Sequence, residues 1–517
     1  MWPCLLALAA GWLGFANPLV HLPFLALLVP AAFCLLARGA ASGKQAFRDG
    51  FFAGMFMYAA CIYWVAIPVH DFGLLPWILA GPCPLLLGAY MGLFTAAFTA
   101  GMRWVGSRLG PGAPIVYAIF GGALWATLEW VRGWFITGFP WVVLPQAFAI
   151  WPWAIQAVAL IGSHGLAALF AAASCAGAAA VEATPIDRRR ACAAWSFVAL
   201  VLGAVAAYGQ YALSASPQNE ARVPVSLVQG NIDQSRKWDK AFQHETVERY
   251  LSLSRAELQA NKPGLVVWPE TAMPFYFQEL SPLSRQVHEF SALAGTCLLL
   301  GAPGYEPNPA TTGGYDLYNR AFLLDATGSK TGVYAKEHLV PYGEYVPLGE
   351  YFPFLNKLVE GIGDFRPGRR LDPLRCGELA MGMLICYEAI FPELAQSRVA
   401  AGANVLVNIS NDAWYGRSSA PAQHLHLSVL RAVEQGRWLI RATNTGVSAF
   451  VDAKGRILAS TGLFETTTLF HAVAPETRMT VYHRLNAFVP GILIGLVLCS
   501  AALAIRSGKP APKKQQK

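Results

Sequence analysis

The sequence predicts a polytopic α-helical membrane domain of about eight spans that carries a mixed α/β domain. Three observations predict it. Long apolar runs fill residues 1–213, the stretch 214–483 turns polar and alternates strand-like with helix-like patterns, and a last apolar run closes the chain at 484–505. The 517 residues are 55% hydrophobic and only 14% charged, whereas soluble globular domains carry about a quarter charged residues. With a mean hydropathy of +0.39, much of the surface must face something other than water.

The N-terminal runs lie at roughly 18–37, 50–67, 74–101, 114–135, 155–181 and 191–213. Each is near or above the ~20 residues that cross a bilayer core. The opening stretch from Leu5 to Phe15 is shorter; without a basic leader or a cleavage pattern it reads as an uncleaved first span. Basic residues then order the topology: Arg38, Lys44 and Arg48; Arg103 and Arg108; Arg188, Arg189 and Arg190; and a tail at 506–517 with Arg506, Lys509, Lys513, Lys514 and Lys517. With all four clusters cytoplasmic, seven spans precede residue 214, an eighth follows 483, and 214–483 lies on the outer side. The formal charge of +8 is scattered among these loops, which fits membrane topology and not nucleic-acid binding. Glu129 and Arg132 sit three apart in one span. Charge at such depth marks a functional site by default, while a self-neutralising i,i+3 pair is an equal reading.

Within 214–483 the strand-like runs are Val223–Gln229, Leu265–Trp268, Cys297–Gly301, Ala321–Asp325, Met381–Ile385, Val405–Ile409, Val447–Asp452 and Thr468–Val473. Helical periodicity marks 239–260 and the stretch from Leu425 to Leu439. Seven of the ten cysteines fall in or beside apolar runs, where a thiol behaves as a small hydrophobe. Cys297, Cys376 and Cys386 lie in the polar part, and because three is odd at least one stays unpaired there.

Cys386 ends the apolar run Leu384-Ile385 and precedes Tyr387-Glu388; Glu270 follows Val267-Trp268-Pro269; Lys336 follows Tyr334-Ala335. A carboxylate base, an ammonium electrophile and a thiol nucleophile, each beside an apolar run, are the parts of a covalent acyl-transfer site. A thiol next to an ammonium is expected to have a low pKa. Singly, such residues are more often inert; their joint occurrence with specific neighbours raises the functional reading. Other patterns fail. Gly328-Ser329-Lys330-Thr331 lacks phosphate-loop spacing, and Gly361-Ile362-Gly363 meets Arg366 where a dinucleotide fingerprint needs glycine. His424 and His426 lack a zinc partner motif and read as a satisfied pair near a helix start. No metal, nucleotide or other cofactor is expected.

The motifs around these residues resemble the nitrilase, or carbon–nitrogen hydrolase, superfamily, and more closely its membrane branch, the apolipoprotein N-acyltransferases. The resemblance rests on Gln229-Gly230-Asn231-Ile232 with Lys237-Trp238, on Trp268-Pro269-Glu270-Thr271, on Lys336 through Pro347, and on Cys386-Tyr387-Glu388. Ser410-Asn411-Asp412-Ala413-Trp414-Tyr415-Gly416 and Arg441-Ala442-Thr443-Asn444-Thr445-Gly446 extend it, with Tyr342 and Tyr415 standing where phenylalanine is expected. It implies an αββα nitrilase-like sandwich with Glu270 as base, Lys336 as oxyanion support and Cys386 as the acylated thiol. It further implies Glu344 as an orienting second glutamate, Tyr387 and Glu388 as pocket residues, and Trp238 and Trp414 on substrate-access loops. Glu344 and Glu388 could equally hold loops together, and the 361–365 stretch could line an acyl groove or form a turn.

The implied activity is transfer of an acyl chain from a phospholipid, through a thioester, to the α-amino group of a diacylglyceryl-modified N-terminal cysteine on a lipoprotein. Ping-pong kinetics follow from the covalent intermediate. The implied place is the bacterial inner membrane with the α/β domain in the periplasm, as a monomer. A tethered amidase that hydrolyses its acyl-enzyme is the alternative, and a non-catalytic channel or transporter ranks below it.

Overall fold

Glycines at four-residue spacing let two apolar helices meet backbone to backbone. Gly50 and Gly54 on the helix Gly43–Cys61 face Thr95, Thr99 and Gly92 on Cys83–Leu109, and a Cβ on Gly88 would collide with the Met55 carbonyl. Thr95 adds a side-chain bond of 3.1 Å to the Gly50 carbonyl across this seam. Small-residue packing of this kind replaces the hydrophobic driving force that is missing between helices in lipid.

The computed structural model describes residues 2–109, 113–183, 187–214, 221–311, 313–346, 365–369 and 372–507. The chain divides into two units: Met1–Tyr63, Pro82–Ser214 and Arg484–Lys517 in one, Trp64–Gly81 and Ala215–His483 in the other. Among the described residues five helices are long and apolar enough to cross a membrane: Trp77–Leu109, Pro114–Arg132, Val158–Ala183, Arg188–Ser214 and Val481–Ser507. A sixth is counted if Gly43–Cys61 and Tyr63–Asp71, bent by 66°, form one span. The structure thus gives five or six such helices against the expected eight. The apolar stretches near 5–15 and 18–37 fold as the shorter helices Trp2–Gly14 and Pro23–Gly39, and the run at 50–67 breaks at the bend.

The second unit is built on two six-stranded sheets. β1 (Val223–Gln229), β2 (Leu265–Val267), β3 (Cys297–Pro307), β4 (Tyr315–Leu324) and β5 (Lys330–Ala335) form one. β6 (Leu374–Cys376), β7 (Leu379–Ile385), β8 (Val405–Ser410), β9 (Trp438–Thr443), β10 (Ala449–Val451) and β11 (Ile457–Ser460) form the other. β12 (Thr467–Val473) returns antiparallel beside β1. Inward residues of both sheets, among them Leu227, Val267, Leu323, Met383, Ile409 and Ile440, bury one core between the sheets. The outer face of the first sheet packs Val266, Trp268 and Leu298 against Tyr250 and Leu251 of the helix Gln243–Asn261 and Phe290 of Pro282–Ala294. The helices Pro392–Ala400 and Ala420–Gln435 pack against the second sheet. The unit is therefore an αββα sandwich, the arrangement that the resemblance implied.

Local chemistry sets the element ends. Ser281 and Ser284 form a reciprocal capping box at the start of Pro282–Ala294. Ala420–Gln435 ends at Gly436, whose φ of 60° suits a left-handed cap. The helical periodicity expected to reach Leu439 is cut there, and Trp438–Thr443 becomes the buried strand β9. Residues Trp64–Gly81, between two apolar helices in sequence, pack on the turn at 412–416. Trp64 meets the Tyr415 ring at 4.9 Å and donates to Gln423 at 3.1 Å, and Phe72 meets Trp414 edge-on at 4.6 Å.

Cys297 at the start of β3 and Cys376 at the end of β6 form a disulfide that ties one sheet to the other, while Cys386 stays free. The bridge closes 79 residues of chain, and loss of such a bridge costs about 2–5 kcal/mol. Replacing both cysteines by serine is expected to lower the melting temperature while leaving Cys386 available to a thiol reagent; an unchanged melting temperature contradicts the staple.

Candidate active site

The polar residues that follow β2, β5 and β7 converge. β2 continues through Trp268 and Pro269 to Glu270, β5 runs into Lys336, and β7 ends at Cys386. Lys336 Nζ lies 2.8 Å from Glu344 Oε2 and 3.8 Å from Glu270 Oε1. Lys336 is 1% exposed, and Glu270 and Cys386 are 5% exposed, so these charges act on one another with little water between them.

The Glu270 carboxylate is held at both oxygens. Asn319 Nδ2 donates to Oε1 at 2.7 Å, and the Asn411 backbone N–H donates to Oε2 at 2.8 Å. Asn319 Nδ2 also donates to Glu344 at 3.0 Å, and Glu344 accepts the Val340 N–H at 2.8 Å. Burial pushes the Glu270 carboxyl up from its ordinary value; Lys336 pulls it down and Glu344 pushes it up again. Burial alone would lower Lys336, but Glu344 and then Glu270 outweigh that and hold it firmly protonated.

The thiol does not follow the expectation of a low pKa. Burial raises Cys386, Glu270 raises it further, and Lys336 only partly opposes them. Burial, Glu270 and Asp412 together outweigh the one ammonium, so the surroundings disfavour a further anion on the sulfur. The resting sulfur therefore keeps its proton. Cys386 and Thr271 both adopt left-handed backbone, with φ of 51° and 47°. Such strain in non-glycine residues clusters where a side chain must be aimed.

The remaining expected residues take distinct places. Glu388 is fully buried and accepts backbone N–H groups from Glu337, His338 and Ile385 and the Tyr334 hydroxyl. It ties the loop after Lys336 to the turn at Cys386. Tyr387 is buried, edge-on to Phe391 at 5.1 Å. Trp238 lies half-buried on a turn next to Lys237, and Trp414 is half-buried against Phe72. Gly361 to Asp364 lie outside the described residues. Glu129 and Arg132 turn to different partners: Glu129 accepts from Trp125 and the Leu144 N–H, and Arg132 donates to Tyr58 and the Trp141 carbonyl. They brace the chain after their helix instead of pairing with each other.

Sequence reasoning missed Asn319, which sits within a strand and carries no motif. It quoted Lys237 and Asn411 without giving either a role. Lys237 Nζ donates to Thr271 Oγ1 at 2.7 Å and lies 3.5 Å from the Glu270 carbonyl oxygen; burial brings it down to about 7. Asn444 joins the motif stretches, donating to the Ile232 carbonyl and accepting its N–H, and donating to Asn411 as well. Among the described residues no group of three or more histidine, cysteine or acidic side chains is arranged to hold a metal.

Residues 224–481 match the carbon–nitrogen hydrolase family, and residues 9–176 match the apolipoprotein N-acyltransferase N-terminal domain. An apolipoprotein N-acyltransferase of Geobacter metallireducens is 38% identical over 91% of this chain and 89% of the relative. One from Pseudomonas syringae pv. tomato is 33% identical over 98% of both chains. Among solved structures, an amidase from Nesterenkonia sp. is 20% identical over 51% of this chain and 95% of its own, with a TM-score of 0.36. Saccharomyces cerevisiae Nit3, a nitrilase-superfamily member, is 20% identical over 53% and 97%, with a TM-score of 0.38.

The opposing pulls on Cys386 give a titration test. Lys336 is the cation that lowers the thiol, so Lys336→Met is expected to move the pH profile of Cys386 alkylation by iodoacetamide to higher pH. A profile that stays in place, or moves toward acid, contradicts the cluster's electrostatics.

Proposed function

The chain belongs to the apolipoprotein N-acyltransferase family, and from that premise we propose the reaction that the buried cluster supports best. An acyl chain moves from a phospholipid, through a thioester on Cys386, to the α-amino group of a lipoprotein's N-terminal diacylglyceryl-cysteine. The observation that carries this reading is the meeting of Glu270, Lys336 and Glu344 in one buried cluster, of which Glu270 and Lys336 act on the Cys386 thiol.

In the first half-reaction Glu270 takes the thiol proton as sulfur attacks the ester carbonyl. Lys336 and the Tyr387 backbone N–H stabilise the oxyanion; one such donor is typically worth about 3–4 kcal/mol of barrier. The C–O bond breaks, Glu270 returns its proton to the departing alkoxide, and lysophospholipid leaves. In the second, the lipoprotein amine attacks the thioester carbonyl and yields a proton to Glu270. The C–S bond breaks, and the protonated Glu270 restores the thiol. The raised carboxyl of Glu270 suits both directions, because a general base works best with a pKa near the working pH. Glu344 neutralises and aims Lys336. Glu388 fixes the two loops that carry Lys336 and Cys386, and Trp238, Trp414 and Tyr387 border the approach of substrate.

Both substrates are lipid-anchored, which gives the apolar helices a purpose. In this reading residues 1–213 and 484–505 are the membrane part, 214–483 the catalytic domain and 506–517 a cytoplasmic tail, with the protein in the inner membrane. The Cys297–Cys376 disulfide supports an oxidising compartment for the catalytic domain, and the basic loops favour the opposite, cytoplasmic side for themselves.

Phospholipid with labelled acyl chains, incubated with enzyme and a diacylglyceryl-cysteine peptide, tests the reading. The label is expected in an amide on the peptide, with parallel double-reciprocal plots. Glu270→Gln is expected to slow transfer by about 10²–10⁴. Label accumulating as free fatty acid would instead make the protein a tethered hydrolase.

A further inference from the structure

Behind Cys386 lies a buried polar network that the reaction above does not use. His424, on the helix Ala420–Gln435, is fully buried, and its Nε2 lies 3.0 Å from the Cys386 carbonyl oxygen. The carbonyl can only accept, so Nε2 carries the hydrogen. The other ring nitrogen, Nδ1, lies 3.1 Å from Arg441 Nη2 and 3.2 Å from Asp412 Oδ1. Arg441 also donates to Asp412 Oδ2 at 2.7 Å, and Ser410 donates to Asp412 Oδ1 at 2.7 Å. Arg441, itself held by Asp412, donates to Nδ1 and fixes the ring, and the ring holds the Cys386 carbonyl. Asn408 Nδ2 reaches the same carbonyl at 3.3 Å.

A carbonyl held from behind has a consequence in front. In a trans peptide the C=O and the following N–H point in opposite directions, and the chain has no cis bond among the described residues. Drawing the Cys386 carbonyl toward His424 and Asn408 therefore turns the Tyr387 N–H away from them. The left-handed φ of 51° at Cys386 needs such an external hold, because that conformation is unfavourable for a residue with a Cβ. We propose that His424, seconded by Asn408, is a positioning residue for the oxyanion hole: it orients the Cys386–Tyr387 peptide so that the Tyr387 N–H meets the oxyanion. This rests on the acyl-transfer reading of Cys386. His424 acts through the backbone and touches no substrate.

The experiment compares two reactions of one sulfur in the full-length protein. Thioester formation from phospholipid builds an oxyanion and needs the hole. Alkylation by iodoacetamide forms an S–C bond with loss of iodide at a saturated carbon and builds none. His424→Leu is expected to slow single-turnover acylation by on the order of 100-fold while alkylation of Cys386 stays within about threefold. His424→Gln, which keeps a donor, is expected to recover most of the loss. Should His424→Leu fail to accumulate, Asn408→Asp takes its place, exchanging the donor for an acceptor in the same volume. Acylation and alkylation falling together, acylation at the parental rate, or a Gln variant as slow as Leu would each overturn the role. A parent protein that alkylates at Cys386 yet never acylates there would instead overturn the acyl-transfer reading itself.

Discussion

One buried ammonium between two buried carboxylates is the constraint on which the rest depends. At an effective dielectric of about 20, opposite unit charges about 4 Å apart attract by about 4 kcal/mol, and burying an ion costs several kcal/mol. The cluster of Lys336, Glu270 and Glu344 therefore holds only because each carboxylate has further partners. Asn319 spans both carboxylates, and backbone N–H groups of Asn411 and Val340 bind one each. Burial, reinforced by Glu270, keeps the Cys386 proton in place, and burial reinforced by Glu344 keeps Glu270 basic. In the proposed reaction that proton leaves only as a substrate carbonyl arrives, which suits a thiol that must be kept from oxidants between turnovers.

The sandwich delivers this cluster by pooling groups from both sheets. Glu270, Asn319 and Lys336 come from the first sheet and its loops, Cys386 and Asn411 from the second. Contacts that knit the sheets together are thereby contacts that set the site: Glu388 joins the Lys336 loop to the Cys386 turn, and Asn444 joins the ends of β1 and β9. Trp64–Gly81 adds a wall to the 412–416 turn, and Trp64 bonds Gln423, the neighbour of His424. A segment that lies in sequence between the helices Gly43–Cys61 and Cys83–Leu109 thus reaches the helix that steadies the thiol's backbone.

Much of this was legible in the sequence where polarity changes abruptly. Val223–Gln229 and Val405–Ile409 read as strands because apolar residues end at turn signals, and Glu270, Lys336 and Cys386 stood out as reactive groups just past such runs. Asn319 was invisible because a single amide inside a strand looks like a solvent-facing residue until the fold buries it. His424 read as a satisfied helix-start histidine; it is satisfied, but its partners are the Arg441 guanidinium and the nucleophile's own carbonyl, 17 and 38 residues away. The direction of the thiol's shift needed a count of nearby charges that spacing cannot supply. Trp64–Gly81 read as span and loop because apolarity suits lipid and protein core alike, and β9 was merged with the preceding helix because only Gly436 and Arg437 separate them.

The most direct measurement of the central claim is the intact mass of the purified protein after exposure to phospholipid alone. The account predicts one added acyl mass on Cys386 that hydroxylamine removes, that a lipopeptide amine discharges, and that Cys386→Ala lacks. A parent protein that consumes phospholipid and acylates the lipopeptide without ever carrying an acyl group on Cys386 would contradict it.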